Sequence, residues 1–195
     1  TFSYRAIPMM YEPPPARVRL VGVCTSRPET AEVAREHGGF EFATTDYRRL
    51  LERKDIQIIN CCTPNDLHYP LLCDALAAGK HIYCDKPLAL NLAQAEEIAA
   101  RAKGAPGTHQ MTFNYRFVPA IMRAKELVEE GFFGDFFSFR AAYLHAGYTD
   151  PNRPMSWRLD LARSGGGAIA DLGSHAIDLV RHLLGEFRQV SARAK

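Results

Sequence analysis

Asp171 and His175 stand four residues apart in the apolar stretch DLGSHAIDL, just after the run Gly165, Gly166, Gly167. Four residues is about one helical turn, so on a helix the two side chains share a face and converge on one small molecule. Two ionisable groups on a stripe that also carries Ala168 and Leu172 are costly unless they pair or work. Imidazole is the side chain best suited to moving a proton near neutral pH. Spacing alone leaves an internal Asp171 to His175 ion pair open as the alternative. The glycines permit close approach of backbone to a ligand. Lys86, in CDKP, precedes Pro87 and is therefore held extended and out of a helix. A lysine so held can polarise a carbonyl or tune a neighbouring base, although a lysine at a strand end also reads as a solvated charge. In CTPNDLH, residues Cys62 to His68, Thr63 and Asn65 offer hydrogen bonds to a cofactor. Asn65 or Asp66 as a simple helix cap is the bland alternative.

Whether these groups meet depends on the elements that carry them. Arg17 to Thr25 is a β-branched run after three prolines and reads as a buried strand. Pro28 opens a helix capped by Ser26 or Arg27, with Glu29 in its first turn and Gly38 and Gly39 at its end. Phe40 to Ala43, Ile56 to Cys62, His81 to Cys84 and His109 to Phe113 read as further strands. Asp46 to Arg53, Leu67 to Ala78 and Leu92 to Lys103 read as the helices between them. Alternation of this kind predicts an α/β fold, a Rossmann-like doubly wound parallel sheet with helices on both faces. CTPNDLH and CDKP then both follow strands at the carboxyl edge, where open α/β sheets bind ligands.

After a helix at Val118 to Glu130, the alternating aromatic residues of Asp135 to Tyr143 suit a strand of a different, half-covered sheet. Tyr148 to Arg163 reads as a loop, Ile169 to Leu184 as a helix and Phe187 to Ala194 as another strand. Residues 1–116 are thus expected to form a dinucleotide-binding domain incomplete at its start. Residues 117–195 should begin an α+β substrate and oligomerisation domain with a mainly antiparallel sheet, incomplete at its end.

The 195 residues suffice for a real core, with 47% hydrophobic and 24% charged, so general disorder is excluded. The 24 Lys and Arg against 22 Asp and Glu leave a net charge of +2, interspersed, which argues against nucleic acid as the main partner. No apolar run approaches a membrane span and no signal peptide is legible, so a cytoplasmic enzyme without a membrane partner is expected. Cys24, Cys61, Cys62, Cys73 and Cys84 make an odd count with no CxxC pair. Four of the five sit in or beside apolar, β-rich segments and read as small buried hydrophobes; no metal site is expected, zinc being a remote alternative because the spacing fits no zinc motif.

Lys86 in CDKPLALNLAQAEEI, NYRFVPA from Asn114 to Ala120, and SGGGAIADLGSHAIDL from Ser164 to Leu179 follow one another across nearly the whole chain. In that combination the chain resembles the Gfo/Idh/MocA family of nicotinamide-dependent sugar and cyclitol oxidoreductases. The resemblance implies Lys86, Asp171 and His175 as the catalytic set. His175 takes the proton of a substrate hydroxyl as hydride leaves for the cofactor, Lys86 hydrogen-bonds that oxygen, and Asp171 orients an adjacent hydroxyl or the imidazole. It further implies cofactor contacts from Cys62, Thr63, Pro64, Asn65, His68, Asp85 and Lys86. Arg116 is expected at the cofactor or substrate, or between the domains. Trp157 and Arg158 lie in a loop that reaches the cofactor or substrate in related proteins. A small polyol or sugar is the implied substrate and a homo-oligomer, dimer or tetramer, the implied assembly.

Two departures bear on this expectation. The family begins with a strand and a glycine-rich pyrophosphate loop, whereas the first glycine here is Gly22, and Phe2 to Tyr11 reads as the remainder of the helix after such a loop. A segment of a longer protein is expected rather than a naturally shortened chain. What corresponds to the family's second strand ends Cys24-Thr25-Ser26-Arg27, with no acid to hold the adenosine ribose. Ser26 and Arg27 suit the 2′-phosphate of NADP, with NAD the alternative and a cap plus a surface arginine the bland reading. Rival functions are an NAD-dependent glycoside hydrolase of the same family, a non-catalytic sensing regulator, or a vestigial binding module.

Overall fold

The structure, a computed structural model, describes residues 18–147 and 149–193. Residue contacts divide the chain into two compact units, Thr1–Ile56 and Gln57–Lys195. In the first, β1 (Gly22–Cys24) pairs in parallel with β2 (Phe42–Thr44), Val23 opposite Ala43. Between them runs α1 (Pro28–Gly38). Proline at its first position needs no N–H bond, Glu29 and the pair Arg35 and His37 complement the dipole at the two ends, and Gly39 stops it at φ 72°. Arg27 occupies the cap without a side-chain bond, and the Thr25 and Thr30 hydroxyls each donate to its carbonyl at 2.9 Å instead. A single turn, α2 (Arg48–Leu51), follows β2. Val21, Ala31 and Ile56 form this unit's small core.

The second unit is built on β3 (Ile58–Cys61), β4 (His81–Cys84) and β5 (His109–Met111), paired in that order and all parallel. Ile59 lies opposite Ile82 and Cys61 opposite Cys84, so β3 and β4 end level. A 3-10 turn at Asn65–Leu67 runs into α3 (His68–Ala77). His68, Leu71, Leu72, Ala75 and Leu76 of this helix are buried, the i, i+3, i+4, i+7, i+8 stripe that lays one face on β3 and β4. Asn91 caps α4 (Leu92–Gly104) by accepting the Gln94 N–H at 3.0 Å, and the Gln94 side chain returns a bond to the Leu90 N–H. After a 3-10 turn at Asn114–Phe117 come α5 (Pro119–Glu129), a second turn at Trp157–Leu159 and α6 (Leu161–Ser164). The last helix among the described residues is α7 (Ser174–Leu184), preceded by a π turn over Ile169–Gly173. Among the described residues no helix is long and apolar enough to cross a membrane.

The α/β alternation and the parallel pairing agree with the sequence; the run expected as a strand from Arg17 to Thr25 is a strand only over Gly22–Cys24, and the other strands match to within two residues at their ends. Four expectations differ. Asp135 to Tyr143 forms no strand, and neither do residues 187–193, Ala194 lying outside the described residues. Alternation of side chains makes a strand only where a second strand accepts its N–H groups, and none lies alongside among the described residues. Phe137 accordingly stands 97% exposed. The single helix expected from Ile169 begins as the π turn, in which the Ser174 N–H reaches back five residues to the Ile169 carbonyl. The expected loop at Tyr148 to Arg163 contains the Trp157 turn and the start of α6. The expectation for Phe2 to Tyr11 lies outside the described residues.

Leu72 is buried to 1% exposure at the centre of the α3 stripe. Leu72→Ala should cost about 3 kcal/mol of unfolding free energy. Urea unfolding of the complete protein measures this, and a loss below about 1 kcal/mol would show that α3 is not the cover of the sheet.

Candidate active site

The level ends of β3 and β4 release two loops side by side. Beyond the strands the ladder continues for one step, with Asp85 N–H donating to the Cys61 carbonyl and Thr112 N–H to the Cys84 carbonyl, both at 2.8 Å. Asp85 Oδ1 accepts the Lys86 N–H at 2.8 Å and the Thr112 hydroxyl at 3.1 Å, so Lys86 leaves the sheet from a clamped base. Burial and hydrogen bonding correct the expectation for His68. It is wholly buried, with Nδ1 2.8 Å from the Pro87 carbonyl and Nε2 3.0 Å from the Thr63 carbonyl. Its ring staples the two loops together from beneath and does not face a ligand.

The 62–65 loop, Asp85 and Lys86 line one side of a pocket of about 260 Å³, and Trp157, Arg158 and Asp171 line the other. Lys86 Nζ donates to Asp171 Oδ1 at 2.5 Å and to the Asp171 carbonyl at 2.6 Å. The two side chains are 13% and 20% exposed, so solvent screens the pair little. Arg158 adds a second cation, its Nε 3.7 Å from Asp171 Oδ2, and its guanidinium lies over the Trp157 ring at 4.5 Å. Asp171 is therefore committed to Lys86 and Arg158, and the internal Asp171 to His175 pair left open by spacing does not form.

His175 sits on α7 under an aromatic wall. Its ring centroid is 4.6 Å from Tyr115, 6.0 Å edge-on from Phe113 and 6.1 Å from Tyr143, and the two tyrosine hydroxyls bond each other at 2.7 Å. Its Nδ1 is buried with no partner among the described residues. Burial, and then the positive charge of Lys86, push its pKa below the ordinary histidine value, against the opposing pull of Asp171, Asp85 and Asp178. At neutral pH the imidazole is uncharged and free to take a proton.

Other residues singled out by sequence take supporting places. Asn65 is buried, and its amide donates to the Ser164 carbonyl at 2.8 Å, which docks the glycine run against the 62–65 loop; it caps nothing. Gly165, at φ 78°, passes so close to Leu90 that a Cβ would lie 2.7 Å from the Leu90 carbonyl oxygen. Close approach is what this glycine provides, but to backbone and not to a ligand. Arg116, expected at the cofactor or substrate or between the domains, forks onto the buried Asp178 carboxylate and joins the Asn114–Phe117 turn to α7. Ser26 and Arg27 are exposed in the other unit, and Arg27 makes no ion pair among the described residues.

Cys62, read as a buried thiol, is exposed, whereas Cys61, Cys73 and Cys84 are buried. The aromatic wall was not legible. NYRF signals that Tyr115 lies near a strand end, but nothing in the sequence ties Tyr143 to it. A larger hollow of about 390 Å³, lined by Phe42, Arg49, Glu52 and Arg53, brings no reactive groups together. Arg53 there covers Phe42 and pairs with Asp55, so chemistry and not volume selects the site.

A parallel sheet whose strand-end loops line a polar pocket at the carboxyl edge is the layout of a dinucleotide-binding fold. The profile of an oxidoreductase family with an NAD-binding Rossmann fold matches residues 1–113, and that of the GFO/IDH/MocA C-terminal domain matches residues 121–195. The chain belongs to the GFO/IDH/MocA family. It is 39% identical over 192 residues to levoglucosan dehydrogenase of Pseudarthrobacter phenanthrenivorans, covering 98% of this chain and 49% of that protein. It is 29% identical to D-xylose 1-dehydrogenase [NADP(+)] of Haloarcula marismortui, over 83% of this chain and 46% of that one. The solved levoglucosan dehydrogenase in complex with NADH and levoglucosan superposes with a TM-score of 0.90 at 39% identity, over 95% of this chain and 50% of its own. The chain spans about half the length of the curated relatives it matches.

The depressed basicity of His175 is directly measurable. Its imidazole should titrate below about 6.5 in NMR spectra. Lys86→Met should raise that midpoint, because it removes a repelling cation and leaves the Asp171 carboxylate unpaired. An unchanged midpoint would mean that Lys86 and His175 do not share a field.

Proposed function

We propose that the protein carrying this chain is a dehydrogenase that moves hydride between a nicotinamide dinucleotide and a hydroxyl-bearing carbon of a sugar, cyclitol or related polyol. The observation that carries this reading is the gathering of Lys86, Asp171 and a neutral His175 at the carboxyl edge of a parallel sheet, beside a pocket with polar walls. The residues present fit the nicotinamide end of such a cofactor. The Thr63 and Asn65 loop and the strand-end Lys86 line one pocket, and the buried Nδ1 of His175 is uncommitted.

The dinucleotide, when bound, supplies the hydride acceptor or donor. His175 takes the hydroxyl proton during oxidation and returns it during reduction, a role for which a neutral imidazole of lowered pKa is ready at neutral pH. Lys86 donates a hydrogen bond to the same oxygen and stabilises its developing negative charge. Asp171 keeps the ammonium aimed; this replaces the expected role of orienting a substrate hydroxyl or the imidazole. Trp157 and Arg158 form the wall opposite the strand ends.

NADP is the proposed cofactor, because Ser26 and Arg27 are exposed where β1 ends and no acid follows Cys24 in Thr25-Ser26-Arg27 to receive a ribose. A forked guanidinium suits a 2′-phosphate. NAD is the second reading, favoured by one observation: the 39% identical levoglucosan dehydrogenase has been solved with NADH.

Two measurements test these assignments. Lys86→Ala and His175→Ala should each lower turnover on a polyol substrate by at least roughly 100-fold while dinucleotide binding stays within a few-fold; near-normal turnover in both sinks the assignment. Fluorescence titration should show NADPH binding at least about tenfold tighter than NADH, a difference of about 1.4 kcal/mol, with Arg27→Ala removing it. Tighter binding of NADH establishes the second reading in its place.

A further inference from the structure

Beneath the pocket lie three side chains that the proposed reaction does not use. Cys61 ends β3, Cys84 ends β4 and His68 begins α3. Register sets the two cysteines opposite each other, and paired residues on adjacent strands send their side chains to the same face. Helix α3 covers that face and brings the imidazole to it. The two Sγ atoms and one ring nitrogen all lie within 4.8 Å of one another, and all three residues are at most 1% exposed. Cys84 Sγ is 3.7 Å from His68 Nδ1. A tetrahedral zinc ion with bonds of about 2.3 Å to sulfur and about 2.0 Å to nitrogen spans a sulfur-to-nitrogen edge of about 3.6 Å.

His68 supplies an independent reason. Both of its ring nitrogens face carbonyl oxygens, Pro87 at 2.8 Å from Nδ1 and Thr63 at 3.0 Å from Nε2. A carbonyl only accepts, and a neutral imidazole has one N–H to give. If Nε2–H serves the Thr63 carbonyl, Nδ1 turns a bare lone pair toward the Pro87 oxygen and the Cys84 sulfur, an arrangement that a cation between them relieves. A histidine that ligates a metal through one nitrogen characteristically donates the other N–H to a backbone carbonyl. The Thr63 hydroxyl, 3.5 Å from Cys61 Sγ, is placed to donate to a thiolate there.

We infer that Cys61, His68 and Cys84 bind one zinc ion as a structural site, with the Pro87 carbonyl oxygen, 2.8 Å from His68 Nδ1, as the fourth donor. Charge and softness select this ion. Two thiolates, a neutral imidazole and Zn²⁺ sum to zero, which a fully buried site tolerates, whereas a monovalent ion leaves a buried negative charge. Thiolate and imidazole ligands exclude the oxygen-seeking Mg²⁺ and Ca²⁺. The ion ties together the ends of β3 and β4, from which the 62–65 loop and Lys86 depart, and so stiffens one wall of the pocket. The ligand spacing matches no local zinc motif because strand register gathers the residues. The inference does not depend on the proposed reaction and survives its failure.

The test uses the complete protein, purified under reducing conditions from zinc-containing medium. Elemental analysis should find about one zinc per chain, and apo protein refilled with Co²⁺ should show tetrahedral d–d bands and thiolate-to-cobalt charge transfer. Cys61→Ser and Cys84→Ser should each lose the metal, while Cys73→Ser, at a buried cysteine outside the cluster, retains it. The cobalt spectrum needs no variant and so stands even if either serine substitution fails to fold. Absence of both zinc and the charge-transfer band from the reduced unmutated protein overturns the site. So does a ¹⁵N spectrum of the zinc-exposed protein with protons on both ring nitrogens of His68, since a proton then supplies the missing positive charge.

Discussion

The register of β3 with β4 is the constraint on which the second unit depends. With Cys61 opposite Cys84, the two strands end at one height, and the loops that follow start as neighbours. One further ladder bond, from the Asp85 N–H to the Cys61 carbonyl, carries that alignment into the loops, and the buried His68 ring holds both from below. A slip by one residue would turn Cys61 and Ile59 from the α3 face to the other side and move the 62–65 loop away from Lys86. The pocket wall and the buried cysteine and histidine cluster are both products of this pairing.

Onto that edge the rest of the unit delivers the groups of opposite charge. Lys86 alone at a strand end is a solvated cation; with Asp171 against it, little exposed, it becomes a fixed donor. The π turn over Ile169–Gly173 matters here, because Lys86 Nζ takes both the Asp171 carboxylate and the Asp171 carbonyl. His175, one turn further on, is left without that carboxylate and is buried among Phe113, Tyr115 and Tyr143, which keeps it neutral. Separate environments thus prepare one group to stabilise negative charge and another to accept a proton. Support comes from contacts that touch no ligand: Asn65 on the Ser164 carbonyl, Gly165 against Leu90, and Arg116 on Asp178.

Sequence by itself determined the α/β alternation, the parallel sheet and the placing of Lys86 and the 62–65 loop at the carboxyl edge. These follow from local causes: apolar periodicity, Pro28 and Gly39 at the ends of α1, and the restriction that Pro87 places on Lys86. The ordered motifs around Lys86, Asn114 and Asp171 pointed to the family that the comparisons established. Tertiary structure alone decided the partners. Spacing allowed Asp171 to meet His175, but Lys86, 85 residues away in sequence, takes the carboxylate. The sequence offered Cys61 and Cys84 as separate buried thiols and His68 as a cofactor contact, and only the tertiary structure brings the three together. Alternation at Asp135 to Tyr143 looked like a strand, but a ladder needs a second strand, which a local pattern cannot supply. Periodicity and turn chemistry act over a few residues and are written in the chain, whereas ion pairs, buried clusters and ladders join distant segments and exist only once the backbone has brought them into range.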